Sequence, residues 1–291
     1  MTARNAGRRL PGTPEPGCTW RGHGGGTLAG DRWGDPAGPV VLLMHGGGQT
    51  RHAWKGAGER LGAQGWNAIA FDARGHGDSS WTDAYGIDLM VADLVELVAQ
   101  LGDPNPVLVG ASMGGGVSLE TIGGGHVPGR ALVLVDTAPR LEPEGVDRIL
   151  QFMEGRPDGF ASLDEVADAI ASYQPHRERP RSTDGLAKNV RLGDDGRYRW
   201  HWDPTWRSGR PDLEAMYQRQ AANARALAVP TLLVRGGLSD VLSEDGARSF
   251  LELCPHAEYV NVTDASHMVA GDRNDIFSGA VIDFLGRLPS R

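Results

Sequence analysis

The feature that most constrains this chain is an alternation. Short apolar runs bounded by glycine and proline are separated by longer segments of helical period. That rhythm is the signature of a mostly parallel sheet covered by helices, because parallel strands need long crossovers and are buried on both faces. Six runs read as buried strands: Val40 to Met44, Trp66 to Phe71, Val107 to Val109, Ala131 to Val135, Thr231 to Val234 and Glu258 to Val262. Each leads into a polar or glycine-rich loop. Between them, Met90, Leu94, Leu97 and Leu101 recur at three- and four-residue steps and give a helix one apolar stripe, which Pro104 and Pro106 then stop. A last helix is predicted from near Asp272, with Ile276, Ala280 and Phe284 on its packed face. The implied fold class is α/β, a mostly parallel central sheet with helices on both faces.

The interval Thr137 to Val229 breaks the rhythm, since it holds helical patterns and aromatic residues but no convincing core strand. It reads as a helical insertion. The main domain is then 18–136 together with 230–291. Within the insertion, Ser162 and Glu165 form a capping-box pattern and Pro211 opens a helix running to Leu227. The segment from Tyr198 to Trp206 is unusually aromatic: its rings either wall an apolar substrate pocket or pack the insertion onto the main domain. Residues 1–17, rich in proline and glycine, read as a flexible tail. Arg8-Arg9 there lacks the following apolar run that an export signal needs.

With 40% hydrophobic and 23% charged residues, a sizeable core is expected. The net charge of -8 arises from mixed residues and not from a block, which argues against a nucleic-acid partner. No apolar stretch is long enough to span a bilayer, so no membrane association is expected. Cys18 and Cys254 are far apart and outside any metal-binding spacing, so neither a zinc site nor a disulfide framework is implied and a cytoplasmic location is expected.

The chemistry centres on Gly110-Ala-Ser112-Met-Gly114, which follows a strand and precedes a helix. That context turns a G-x-S-x-G match into a nucleophile elbow, where glycines flank a turn too tight for side chains. The alternative, a phosphate-cradling loop, lacks both G-x-x-x-x-G-K-[ST] and G-x-G-x-x-G at this place. A serine hydroxyl is a weak nucleophile, so a histidine must accept its proton and a carboxylate must hold that histidine's tautomer. Of nine histidines, His267 is preferred, because it lies in a polar loop directly after the last strand. Asp240, a short loop beyond the strand Thr231 to Val234, is the preferred acid. Asp136, at the end of the preceding strand, and Asp264 compete with it.

An oxyanion needs two donors. The Met113 amide follows the nucleophile, and His45-Gly-Gly-Gly48 follows a core strand, so Gly47 is the expected second donor and Gly48 the fallback. The other HGGG, His23 to Gly26, reads as a hairpin loop. In Phe71 to Ser79, Asp72 and Arg74 are expected to tie neighbouring loops together, and His76 is read as structural. The expected substrate pocket draws on His45, Trp200, Trp202, Trp206 and Met268.

Taken together, His45-Gly46, Arg74-Gly-His-Gly77, Ser112, Asp240 and His267 resemble the α/β-hydrolase fold family, in its esterase, non-haem haloperoxidase and epoxide-hydrolase branch. The resemblance covers about Thr27 to Leu288. It implies a helical cap after the sixth strand, matching 137–229, and an active site between cap and sheet without metal or organic cofactor. Epoxide hydrolases and haloalkane dehalogenases use an aspartate where this chain has Ser112, so those activities are disfavoured. The expected function is hydrolysis of a small-molecule ester, lactone or thioester by a monomer or homodimer. Carbon–carbon bond hydrolysis, perhydrolysis or haloperoxidation, and a receptor-like module with slow turnover are the alternatives.

Overall fold

Strand residues alternate between two apolar layers. In Val40–Met44, the side chains of Val40, Leu42 and Met44 join one core cluster and those of Val41 and Leu43 the other, and all five are buried. A strand covered on both faces has no polar side, which is why these segments read as continuous hydrophobic runs. The computed structural model describes residues 7–173, 183–206, 211–267 and 274–288.

In chain order the elements are β1 (Cys18–Arg21), β2 (Thr27–Trp33), β3 (Val40–Met44), α1 (Lys55–Ala63), β4 (Asn67–Phe71), α2 (Ile87–Leu101), β5 (Val107–Ala111), α3 (Met113–Gly123) and β6 (Ala131–Val135). Then come α4 (Pro143–Glu154), α5 (Leu163–Tyr173), β7 (Val190–Leu192), β8 (Tyr198–Trp200), α6 (Leu213–Ala226), β9 (Thr231–Gly236), α7 (Glu244–Leu253), β10 (Glu258–Val262) and α8 (Ser278–Gly286). Eight strands form one sheet in the order β1-β2-β4-β3-β5-β6-β9-β10. β1 and β2 pair antiparallel and β2 is antiparallel to β4, while the other neighbours are parallel. The six expected strands are all present. β1 and β2 were not among them, and the second HGGG is the turn that joins these two, as expected of a hairpin loop.

Helices cover both faces. The α2 stripe buries Met90, Leu94 and Leu97 against one apolar cluster, and α8 buries Val281, Phe284 and Leu285 in the other. The expected register of α8 needs correction. Ile276 is 45% exposed, and Phe277 is buried in its place. A 3₁₀ turn over Asn274–Phe277 precedes the α-helix and displaces the first packed position by one, whereas Phe284 is buried and Ala280 packs against the same cluster as expected. Asp272, where that helix was expected to begin, lies outside the described residues.

The insertion holds α4, α5 and a small antiparallel pair, β7 with β8, around a core containing Phe160, Val166, Ile170, Trp200 and Trp202. Ser162 caps α5 by accepting from the Glu165 amide, and the Glu165 carboxylate accepts from the Ala161 amide. α6 belongs with the main layer, because it packs along α3 and against α7. A crossover from β6 to the parallel β9 needs a helix on the sheet, and α6 is that helix. Residues 7–17 are not a loose tail. The Arg8 amide donates to Leu192 O at 2.8 Å, the Leu192 amide donates back at 2.9 Å, and Leu10 is buried in the cap core.

Candidate active site

The sheet delivers three side chains to one edge. β5 ends in a turn at Ser112, whose φ of 47° and ψ of -115° are rare for a residue with a Cβ. The strain persists because both flanks are fixed: the Ser112 amide donates to Val135 O at 3.1 Å, and the Gly116 amide donates to Ser112 O at 3.0 Å. The glycines have the steric purpose expected of them. A Cβ on Gly110 would lie 2.3 Å from Gly114 O, and one on Gly114 would lie 2.6 Å from Met44 O.

His267 follows β10 and is 4% exposed. Its Nδ1 donates to Asp136 Oδ2 at 2.7 Å. A carboxylate only accepts, so Nδ1 is the donor in this bond and Nε2 is the nitrogen that Asp136 does not engage. The expectation that Asp240 would hold this ring is corrected. Asp240 instead pairs with Arg148 on α4 at 2.9 Å, with side chains 29% and 57% exposed respectively. Asp136 takes the place because it immediately follows β6, between β5 and β9, whereas the chain beyond β9 carries Asp240 away under α4. Asp264, the other competitor, is exposed.

Ser112 and His267 both line a cavity of about 400 Å³ between the sheet edge and the insertion, within the ordinary size of small-molecule sites. Gly47 and Met113 line it as well. Neither of their amides has a hydrogen-bond partner among the described residues; Met113 is the first residue of α3, where helical amides are unpaired. Gly48 does not fit the role of a fallback donor. Its amide is directed to His76 Nε2 at 3.4 Å and it is absent from the cavity wall.

The rest of the wall is mostly apolar, with Met90, Val146, Ile149, Met153, Trp206 and Met216 prominent. Tyr85 is there too, its hydroxyl donating to Asp203 at 2.8 Å; burial and that carboxylate push its pKa up to about 12. Of the expected pocket residues, Trp206 lines the cavity. Trp200 and Trp202 stack at 5.0 Å and line a smaller adjoining space of about 260 Å³ together with Trp206. The aromatic segment therefore packs the cap and also presents one ring to the cavity. Met268 lies outside the described residues.

His45 does not line the cavity either. Its Nδ1 donates to Gly46 O at 2.8 Å and its Nε2 accepts from the Ala73 amide at 2.9 Å, so both ring nitrogens are used to join the loops after β3 and β4. Burial lowers its pKa, which keeps the ring neutral. Arg74 makes two bonds to Asp93 at 2.6 and 2.7 Å, and Asp72 accepts from Arg51, so both residues tie loops together as expected. His76 is fully buried and packs edge-on against Trp206 at 4.8 Å, a structural position. Thr137 and Gln220 on the wall were not foreseen. The only sequence signal for Gln220 is that Leu213, Met216 and Gln220 share one helical face.

Comparison with known proteins is consistent across sequence and structure. A family model described as alpha/beta hydrolase fold matches residues 39–273. A 3-hydroxybutyrate-oligomer hydrolase of Cupriavidus necator is 30% identical over 258 residues, covering 82% of this chain and 86% of that protein. An esterase of Mycobacterium tuberculosis is 28% identical over 257 residues, covering 85% of this chain and 83% of its own. The crystal structure of an alpha/beta hydrolase from Novosphingobium aromaticivorans superposes with a TM-score of 0.73 at 24% identity, covering 93% of this chain and 97% of the other.

Proposed function

This chain belongs to the α/β-hydrolase fold family, and from that premise we propose that it is a serine hydrolase cleaving a carboxylic ester of a small to medium, largely apolar substrate. The observation that carries the reading is the opening of the strained Ser112 and the Asp136-bound His267 onto one apolar cavity. Ser112 Oγ attacks the ester carbonyl while His267 Nε2 takes its proton. Asp136 holds the ring in the correct tautomer and stabilises the imidazolium. The amides of Gly47 and Met113 donate to the oxyanion, each worth about 3 kcal/mol of transition-state stabilisation. The carbonyl re-forms, the C–O bond to the alcohol breaks, and His267 returns the proton to the departing alkoxide. Water, deprotonated by the same nitrogen, then attacks the acyl-serine ester and releases the acid. The names of the two curated relatives, an oligo-ester hydrolase and an esterase, support ester over amide chemistry.

The test is intact-mass labelling with a fluorophosphonate, followed by steady-state rates on a panel of p-nitrophenyl esters and a diketone. One adduct per chain is expected, absent in Ser112→Ala and strongly slowed in His267→Ala, with sustained ester turnover. Fast diketone cleavage beside slow turnover of every ester would overturn the assignment. So would a single acyl release per chain followed by silence, which is the behaviour of a receptor that retains a slow triad.

A further inference from the structure

We propose that the cavity selects esters carrying a hydroxyl about one helical turn from the reacting carbon, bound by the Gln220 amide and the Thr137 hydroxyl. This rests on the serine-esterase reading and adds a substrate class to it. Gln220 is 5% exposed and Thr137 6% exposed, and both line the cavity. Neither side chain has a hydrogen-bond partner among the described residues, whereas Tyr85, another polar residue of the wall, donates to Asp203. A buried amide without a partner is disfavoured unless something that enters the cavity satisfies it.

The neighbouring side chains sharpen the contrast. Along α6, Arg219 and Asn223 also meet α3, and both donate to the Glu120 carboxylate, at 2.8 and 2.7 Å. Gln220 lies beside them on the helix and has no such acceptor. Leu213 and Met216, which share its face, are apolar, so an apolar residue at 220 would extend the same wall. Gly116 makes room for the amide: a Cβ there would lie 3.1 Å from Gln220 Nε2.

The placement sets the distance. Gly116 follows Ser112 by four residues and its amide donates to Ser112 O, so Gln220 sits one turn of α3, about 5.4 Å, along from the nucleophile. Thr137 stands next to Asp136, presses its Cγ2 on Gly115 one residue before Gly116, and lines the same cavity as Gln220. A substrate hydroxyl both donates and accepts, so it satisfies an amide and a threonine hydroxyl together. A methylene at that point satisfies neither.

The experiment measures binding to the Ser112→Ala protein by calorimetry, so that it does not depend on turnover. The ligands are two matched pairs, methyl 5-hydroxyhexanoate against methyl hexanoate and 3-hydroxybutyl acetate against butyl acetate, which place the hydroxyl the same number of bonds from the reacting carbon on the acyl or the alcohol side. One hydroxylated ester is expected to bind about tenfold more tightly than its plain counterpart, the worth of one ordinary hydrogen bond. Adding Gln220→Leu, or Gln220→Met as the volume-matched variant, is expected to bring that ratio close to one, and Thr137→Val to reduce it. Ratios near one for both pairs in the unsubstituted cavity would overturn the inference, as would a preference that survives all three substitutions. Fluorophosphonate labelling of the wild-type chain separates the two readings: its loss counts against serine catalysis, whereas flat ratios with labelling intact count only against the hydroxyl subsite.

Discussion

Asp136 has both carboxylate oxygens committed: Oδ2 accepts from His267 at 2.7 Å and Oδ1 accepts from the Gly236 amide at 2.9 Å. The second bond comes from the end of β9 and fixes the plane in which the first is made. Its left-handed φ of 52° turns the side chain toward the histidine as the strand ends. Asparagine at 136 would preserve the shape but offer the ring a different tautomer, so kcat for a p-nitrophenyl ester is expected to fall about 10⁴-fold, with circular dichroism unchanged. Asp240→Asn is expected to leave kcat within about twofold, because the partly exposed pair with Arg148 is worth about 0–1 kcal/mol. The reverse pattern would return the role to Asp240. The placement of Ser112 and His267 on one cavity was legible because the first stands in a G-x-S-x-G turn after an apolar strand and the second in a polar loop after the last strand. The acid was harder to read. Asp136 and Asp240 both fall between serine and histidine in the chain and both follow strands of the same sheet, and only the path of the loop after β9 separates them.

At the level of elements, the elbow joins β5 to α3 at a spacing that leaves no volume for a methyl group. Gly110→Ala would press a Cβ to 2.3 Å from Gly114 O, a backbone atom that moves only with the helix. The expected loss is about 3 kcal/mol of unfolding free energy in urea titrations, at the upper end for overpacking. The same substitution at Gly279, on the exposed first turn of α8 with nothing within 4 Å, is expected to stabilise by about 0.5–1 kcal/mol. Equal effects at the two positions would show that the elbow tolerates a side chain. G-x-S-x-G was informative in the sequence because its glycines answer to local geometry. The core strands and α2 were legible for a similar reason, since burial on both faces or along one stripe is written in nearby residues. β7 and β8 are only three residues each, too short for period-two alternation to register, and they are held by each other. α6 was read as part of the cap because nothing in its own sequence names α3 as its packing partner.

Across the whole molecule, cap, main domain and amino-terminal segment meet at a buried ionic cluster. Arg51 donates to Asp72 at 2.6 Å, to Asp78 at 2.9 Å and to Asp31 at 3.0 Å; Asp78 in turn receives Arg191 from the cap at 2.8 Å and Arg9 at 2.9 Å. Burial opposes the charge on Asp78, but these three guanidinium groups hold its carboxyl below the usual range. The proline-rich start gave no sign of this order, because its partners lie in other elements of the fold: Asp31 receives the Gly17 amide, Arg51 donates to Pro14 O, Asp78 pairs with Arg9, and Leu192 in the cap bonds Arg8. The histidines around the cluster make the assembly sensitive to mild acid. Burial, and then the charge of Arg51, lower the pKa of His52 from 6.5 to about 4. Burial likewise lowers His45, and burial with Arg191 lowers His201. A histidine whose folded pKa lies below its unfolded value binds more protons when unfolded between the two. Stability therefore rises with pH through that window and is lost as pH falls from about 6.5 toward 4. For His52 alone the loss at pH 5 is about 2 kcal/mol relative to pH 8, and lowering of Asp78 adds a further loss only at more acid pH. Urea titrations at pH 8, 6 and 5 measure this, with His52→Gln expected to flatten the slope by about half or more of that amount. A stability that stays level from pH 8 to 5, in the wild type and the variant alike, would mean that these rings are charged or solvated in the folded protein and that the cluster joining cap to main domain is looser than its distances imply.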